Sequence, residues 1–175
     1  MTKQNNRNLL WADDDAPGRF PYEARLIKSA GWDLQWSADV LGTAELLATN
    51  SYRALILDQM LPISAEIEQS PHLPKALPLW SGCLLLRWLR GATLPKAAPA
   101  GVQNAWDALA IIKPLPTNRR LPVLVVSAFS DKKVTASIRS ASKQDHGIDI
   151  VTKPAAEEDI LDFLRALEAG AKAGS

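Results

Sequence analysis

The chain is poor in the residues that build disulfide-linked, histidine–metal and membrane-spanning proteins. It has one cysteine, Cys83, so it cannot form an intramolecular disulfide, and neither His72 nor His146 has a metal-ligand partner at useful spacing. No apolar stretch reaches the roughly 18 residues that cross a bilayer, and acids interrupt the N-terminus before a signal peptide's apolar core could form. The default expectation is a soluble cytoplasmic protein.

The chain also lacks an excess of either charge. Twenty Lys and Arg against 19 Asp and Glu give a formal net charge of +1. This balance gives no electrostatic reason to expect nucleic acid, an anionic membrane or an acidic substrate as a partner. The 175 residues, 47% of them hydrophobic, suit one domain with a sizeable core. We expect a single domain over residues 1–168 and a flexible tail over 169–175.

Apolar runs that end on polar residues alternate with segments whose apolar residues have helical spacing. Strands are predicted at residues 8–12, 33–37, 54–57, 122–126 and 149–152. Helices are predicted at residues 22–30, 43–49, 83–89, 105–112, 131–141 and 157–167. This alternation favours an α/β fold with a doubly wound parallel sheet covered by helices on both faces. The C-terminal ends of its strands would share one edge, where ligands bind in such folds.

Chemically active side chains follow four of the predicted strands. Asp13 and Asp14 follow the first strand, Asp58 the third, Ser127 the fourth and Lys153 the last. Clustered carboxylates repel one another, and a hard cation such as Mg²⁺, which prefers oxygen ligands, relieves that repulsion. A carboxylate can attack phosphorus to form an aspartyl phosphate, while a metal, a lysine and a hydroxyl stabilise the phosphoryl oxygens. The set therefore predicts a phosphoryl site.

Four segments resemble those of response-regulator receiver domains of two-component signalling. LLWADDDAP is similar to their acidic segment, LILDQMLP to the phosphoacceptor segment, PVLVVSAF to the strand with the switch hydroxyl, and VTKP to the segment with the essential lysine. The resemblance covers residues 8–62 and 119–168. It implies a flavodoxin-like five-stranded sheet in the order 2-1-3-4-5, with Ser127 as the switch hydroxyl and Lys153 as the essential lysine.

The resemblance also implies roles for the acids. Asp58 would accept the phosphoryl group, Asp14 would bind Mg²⁺ directly, and Asp13 would do so directly or through water. The backbone carbonyl of Met60 would complete the protein ligands. The module would be a phosphoacceptor rather than an enzyme, with a histidine kinase or a histidine phosphotransfer protein as donor. Only a helix and a tail follow Pro154, so we expect a stand-alone domain that signals through a separate protein; homodimerisation is left open.

Two features depart from the family's pattern. The stretch between Asp58 and Ser127 is long enough for an extra helical, Pro-rich insertion within residues 63–118. The family's third helix would then be 82–90 or 101–112, and SGCLLLRWLRG favours the first. Ile150 takes the position of an exposed aromatic residue that usually moves with the switch hydroxyl, so this coupling would differ here.

Two other functions fit parts of the pattern. A degenerate receiver would bind a partner without accepting phosphoryl, and the departures above favour it. A phosphatase resembling the haloacid dehalogenase group would use Asp13, Asp15, Ser127 and Lys153 in order. That assignment leaves Asp58 without a role.

Overall fold

Five parallel strands form one sheet at the centre of the fold. The computed structural model describes residues 7–15, 18, 20–64, 78–94, 100–128, 147–152 and 157–173. Its strands are β1 (Asn8–Ala12), β2 (Asp33–Ser37), β3 (Ala54–Asp58), β4 (Val123–Ser127) and β5 (Ile148–Thr152). They lie in the order β2-β1-β3-β4-β5, which confirms the predicted sheet.

Helices lie between β1 and β2, between β2 and β3, and between β3 and β4, and one follows β5. The helices among the described residues are α1 (Pro21–Ser29), α2 (Val40–Thr49), α3 (Pro78–Leu89), α4 (Ala100–Ile111) and α5 (Glu157–Ala173), with a 3-10 turn at Pro116–Arg120. None of them is long and apolar enough to cross a membrane. Gly31 and Gly91 follow α1 and α3 with φ of 82° and 68°, the left-handed conformation with which helices commonly end.

Alternate strand residues face two separate apolar cores. On one face, residues such as Leu10, Leu55 and Val125 pack with α2, α3 and α4. On the other face, Leu9 and Ile56 pack with α1 and α5. The strands β3 and β4 are buried along their whole length, as expected for a parallel sheet covered on both sides.

Among the described residues of the connection between β3 and β4, two helices are present, α3 and α4. They pack against each other, and the indole N–H of Trp88 donates to the carbonyl of Ile112 at 2.9 Å. Val102, Ala105 and Leu109 of α4 are buried in the same core as α3. These two helices therefore pack onto the sheet. That part of this connection is an insertion relative to receiver domains remains a prediction.

Helix ends differ from the sequence predictions. The helices α2, α3 and α4 begin earlier than the predicted residues 43, 83 and 105, and α5 extends past residue 167 to Ala173. The flexibility of residues 169–175 and the domain boundary at 168 stay predictions. The predicted helix 131–141 lies outside the described residues.

Hydrogen bonds from polar side chains link the backbone at the N-terminal ends of the strands. Asn118 is fully buried; its amide oxygen accepts from the N–H of Tyr52 at 3.1 Å. Its amide nitrogen donates to the carbonyls of Leu47 and Asn50 at 2.8 and 2.7 Å. One side chain thus joins the end of α2, the start of β3 and the turn before β4.

Replacing Asn118 with alanine should destabilise the fold without touching the opposite edge of the sheet. The Asn118→Ala variant leaves buried backbone groups without their partner, so we expect a loss of about 2–3 kcal/mol in unfolding free energy. Urea denaturation followed by circular dichroism measures this loss. The exposed Asn104→Ala should change stability by no more than about 0.5 kcal/mol. Equal stability of the two variants would contradict the anchoring role of Asn118.

The buried thiol of Cys83 should make the fold sensitive to alkali. Cys83 is 2% exposed in α3, and burial raises its pKa. Because the native state holds this proton more tightly than the unfolded chain does, the thiol's contribution is complete below its unfolded pKa of about 8.5. That contribution is lost as the pH rises above it. Urea unfolding from pH 7 to 10 should show a shallower decline for Cys83→Ala than for the wild type. Parallel declines would contradict this assignment.

Candidate functional site

Three carboxylates meet at the C-terminal edge of the sheet. Asp13 and Asp14 directly follow β1, and Asp58 is the last residue of β3. One carboxylate oxygen of each lies within 4.8 Å of the others. Asp13 and Asp58 are buried, whereas Asp14 is exposed. The parallel pairing of β1 and β3 thus brings together the acids that the sequence places 44 residues apart (58 − 14).

Backbone hydrogen bonds fix Asp13 on both sides. Its N–H donates to the carbonyl of Ser37 at the end of β2, at 3.0 Å. Its Oδ1 accepts from the N–H of Asp15 at 2.9 Å. The carboxylate is therefore held by the turn that follows it, and Asp15 serves through its backbone. Sequence reasoning did not find this contact, because a turn that an aspartate side chain closes on itself is common in loops generally.

The turn after β3 orients Asp58. The N–H of Met60 donates to Asp58 Oδ1 at 3.1 Å. The N–H of Gln59 donates to the carbonyl of Val126 at 3.0 Å, which continues the ladder between β3 and β4. Asp58 is 5% exposed. The predicted ligation by the Met60 carbonyl is not tested by these contacts and stays a prediction.

Ser127 ends β4 one residue beyond the point where β4 pairs with Asp58. Asp58 is aligned with Val126, and Ser127 with Thr152 of β5. Ser127 is 1% exposed, so the sheet holds it near the acidic edge. Lys153, the next residue after β5, lies outside the described residues, and its predicted role stays a prediction.

Ile150 is part of an apolar core. It pairs with Val125 in the sheet and packs, half-buried, against the cluster on the α2–α3–α4 face. It offers no hydroxyl or ring that could exchange partners with a switch residue. Any coupling between Ser127 and the Ile150 side chain would therefore use packing alone.

The donor set fits a hard divalent cation. Two unit charges 4.8 Å apart repel by roughly 3.5 kcal/mol at an effective dielectric constant of about 20, and by less for the exposed Asp14. Three carboxylates supply oxygen ligands with no sulfur or nitrogen among them. Oxygen-only sets with room for water suit Mg²⁺ and Ca²⁺. The cluster could therefore bind a metal.

An aromatic stack adjoins the acids and was not predicted as a unit. Trp11, two residues before Asp13, stacks on Phe20 with ring centroids 5.5 Å apart and contacts Trp36 at 4.7 Å. Trp11 is 2% exposed. Trp11 belongs to the apolar core on the α1–α5 face of the sheet, and Phe20 and Trp36 pack against that core. Trp11 is therefore a packing residue of the core.

Solved structures of known proteins share this fold. A receiver domain of a Francisella response regulator superposes with a TM-score of 0.59 at 20% identity, covering 95% of this chain and 99% of its own. The fold is that of a response-regulator receiver domain. The receiver domain of a Pseudomonas aeruginosa sensor histidine kinase, which has magnesium in its active-site cleft, gives 0.57 at 17% identity, covering 93% and 97%.

A third structure carries the modified acceptor. A Burkholderia pseudomallei response regulator with a phosphorylated aspartate, calcium and citrate gives a TM-score of 0.54 at 15% identity, covering 96% of this chain and 72% of its own. No family model and no curated relative matches the sequence. The receiver fold is therefore established by structure, at identities too low to carry residue roles across.

Removal of one carboxylate from the receiver-type acidic cluster should weaken metal binding. We expect the wild type to bind one Mg²⁺ in isothermal titration calorimetry. Asp13→Asn should weaken this binding by at least about tenfold, the size of effect that even outer-shell contacts have in metal sites. Asp33→Asn makes the same change at an exposed residue that begins β2, at the N-terminal edge of the sheet. This control should leave the affinity unchanged. Equal affinities for the two variants would remove Asp13 from the site.

Proposed function

We propose that the chain is the phosphoacceptor module of a two-component system or phosphorelay, with Asp58 as the phosphorylated residue. The observation that carries the proposal is the meeting of Asp13, Asp14 and Asp58 within 4.8 Å at the C-terminal edge of a receiver fold. Ser127 ends the neighbouring strand at the same edge. This arrangement supplies a nucleophile, a metal site and a hydroxyl together.

The chain's residues divide the chemistry between them. A carboxylate oxygen of Asp58 attacks phosphorus, and the bond from phosphorus to the donor's nitrogen or oxygen breaks with its electron pair leaving on the donor. The Met60 N–H holds the Asp58 carboxylate in a fixed orientation. Ser127 and Lys153 would bond the phosphoryl oxygens.

Asp13, Asp14, Asp58 and the Met60 carbonyl would hold the cation, for which we propose Mg²⁺. When bound, it neutralises negative charge on the transferring group. The oxygen-only donor set described above supports this choice.

The partners follow from the same reaction. A histidine kinase or a histidine phosphotransfer protein would donate the phosphoryl group, and the chain would act in the cytoplasm. A separate protein would receive the signal, and the module would not turn over a substrate. Phosphorylation would bias a two-state element near Ser127, which needs a differential of roughly 5.5 kcal/mol for a complete switch.

The degenerate receiver is the second candidate. Ile150 favours it, because its packed aliphatic side chain cannot take the place of a mobile aromatic residue. This departure concerns the coupling to β5 and leaves the acidic cluster intact. A phosphatase is disfavoured, because it gives no role to Asp58, which lies in the cluster.

Intact-mass measurement tests the function. After incubation with acetyl phosphate or phosphoramidate and Mg²⁺, we expect a single phosphoryl adduct on the wild type. The adduct should require Mg²⁺ and should be absent from Asp58→Asn, which lacks the nucleophile. Asp162→Asn, an exposed acid on α5, is the matched control and should keep the adduct.

The other outcomes separate the rivals. If the wild type forms no adduct and also fails to bind beryllofluoride with Mg²⁺, the protein is a phosphorylation-independent adaptor. Turnover of a generic phosphomonoester that is lost in Asp13→Asn would instead identify a phosphatase.

A further inference from the structure

The backbone carbonyl of Gln59, in the turn after Asp58, accepts two hydrogen bonds from α3. The N–H of Gly82 donates to the carbonyl of Gln59 at 3.1 Å. The hydroxyl of Ser81 donates to the same oxygen at 3.2 Å. Gln59 is fully buried, and its side-chain nitrogen reaches Cys83 Sγ at 3.5 Å. Three successive residues of α3 thus contact the residue next to Asp58.

Gly82 lies so close to this turn that a side chain would collide with it. A Cβ atom at this position would lie 2.9 Å from Gln59 Cα and 3.0 Å from the backbone oxygen of Asp58. Both are main-chain atoms, so the turn itself would have to move. Gly82 is inside α3, which begins at Pro78, where glycine costs about 0.5–1 kcal/mol relative to alanine. Close approach to the turn is the physical reason for glycine here.

The other side of the turn is held by α2. The N–H groups of Val40 and Leu41 donate to the carbonyls of Pro62 and Ile63 at 2.8 and 3.1 Å. These two carbonyls accept from the first N–H groups of α2, which have no acceptors within the helix itself. The segment from Gln59 to Ile63 is thus hydrogen-bonded to α3 at Gln59 and to α2 at Pro62 and Ile63, and Gln59 is covalently joined to Asp58.

We propose that Gly82 and Ser81 are positioning residues for phosphorylation of Asp58. This inference rests on the function proposed above. Gly82 allows α3 to approach the turn, and Ser81 with the Gly82 N–H fixes the Gln59 carbonyl. Together they set the orientation of the Asp58 carboxylate and of the Met60 backbone that follows. Reactive geometry tolerates little error, since a misplacement of about 1 Å can cost roughly a hundredfold in rate.

The rate of phosphorylation by acetyl phosphate tests this role. Gly82→Ala should lower the maximal rate by about tenfold to a hundredfold, measured over a range of donor concentrations in saturating Mg²⁺. Gly170→Ala makes the same substitution in α5, where a Cβ meets nothing within 4 Å. This control should keep the wild-type rate.

A second control separates positioning from stability. Asn118→Ala weakens the fold at the opposite end of the sheet, where Asn118 bonds Tyr52, Leu47 and Asn50. Under conditions where each variant is folded by circular dichroism, Asn118→Ala should phosphorylate at the wild-type rate and Gly82→Ala should not. A merely structural role for Gly82 would slow both variants in proportion to their lost stability, and this result would overturn the inference.

Ser81→Ala covers the case in which Gly82→Ala does not fold. It removes one of the two donors to the Gln59 carbonyl and adds no bulk, and we expect a rate about threefold to tenfold lower, in line with about 1 kcal/mol for one hydrogen bond. A wild-type rate in Gly82→Ala, or in Ser81→Ala if that variant alone folds, would overturn this inference and leave the proposed function standing. Absence of any adduct on the wild type would remove both.

Discussion

Parallel pairing of β1 with β3, and of β3 with β4, determines where each polar residue of the site lies. In a parallel sheet all strands run in one direction, so their carboxyl ends reach the same edge. Registers that align Ala12 with Leu57 and Asp58 with Val126 bring the following or final residues of each strand side by side. A one-residue slip would exchange the two faces of a strand and disrupt both cores. The apolar packing therefore specifies the geometry of the acids.

The two edges of the sheet differ in their polar contacts. The C-terminal edge concentrates negative charge in three acids, which an apo protein holds at a cost. The N-terminal edge is joined by satisfied polar contacts, including those of Asn118 and the hydrogen bond from Arg53 to the carbonyl of Leu167. An ion pair between Arg7 and Glu168, 3.1 Å apart, adds α5 to this edge. Polar contacts that stabilise the fold thus lie at one end of the strands, and the candidate site lies at the other. The second is the end at which open α/β sheets bind ligands.

Strands and acids could be predicted because their signals are local. The segments 8–12 and 33–37 were predicted with the bounds that the structure shows, since a continuous apolar run marks the first and an alternating pattern marks the second. The gathering of Asp13, Asp14 and Asp58 followed from strand direction alone. These inferences needed no knowledge of distant contacts.

The missed features depend in part on partners far away in the sequence. The first turn of α2 was not predicted, although Asp39 caps it locally by accepting from the N–H of Gly42 at 2.7 Å. Its first two N–H groups, by contrast, donate to the distant carbonyls of Pro62 and Ile63. The predicted helix 83–89 left out Ser81 and Gly82, whereas α3 begins at Pro78 and includes both. The role of the glycine is visible only from its distance to the turn.

The connection between β3 and β4, residues 59–122, has a consequence for folding. Closing a chain between two paired strands costs entropy that grows only with the logarithm of its length, about 0.6 kcal/mol for each doubling. Burying a Val or Leu side chain contributes about 1.5–3 kcal/mol, and α4 buries Val102 and Leu109. The extra length that a second helix adds to this connection therefore costs little loop-closure entropy compared with what two of its buried side chains contribute. A long connection is expected to slow folding, because β3 can pair with β4 only after residues far apart in the chain have come together.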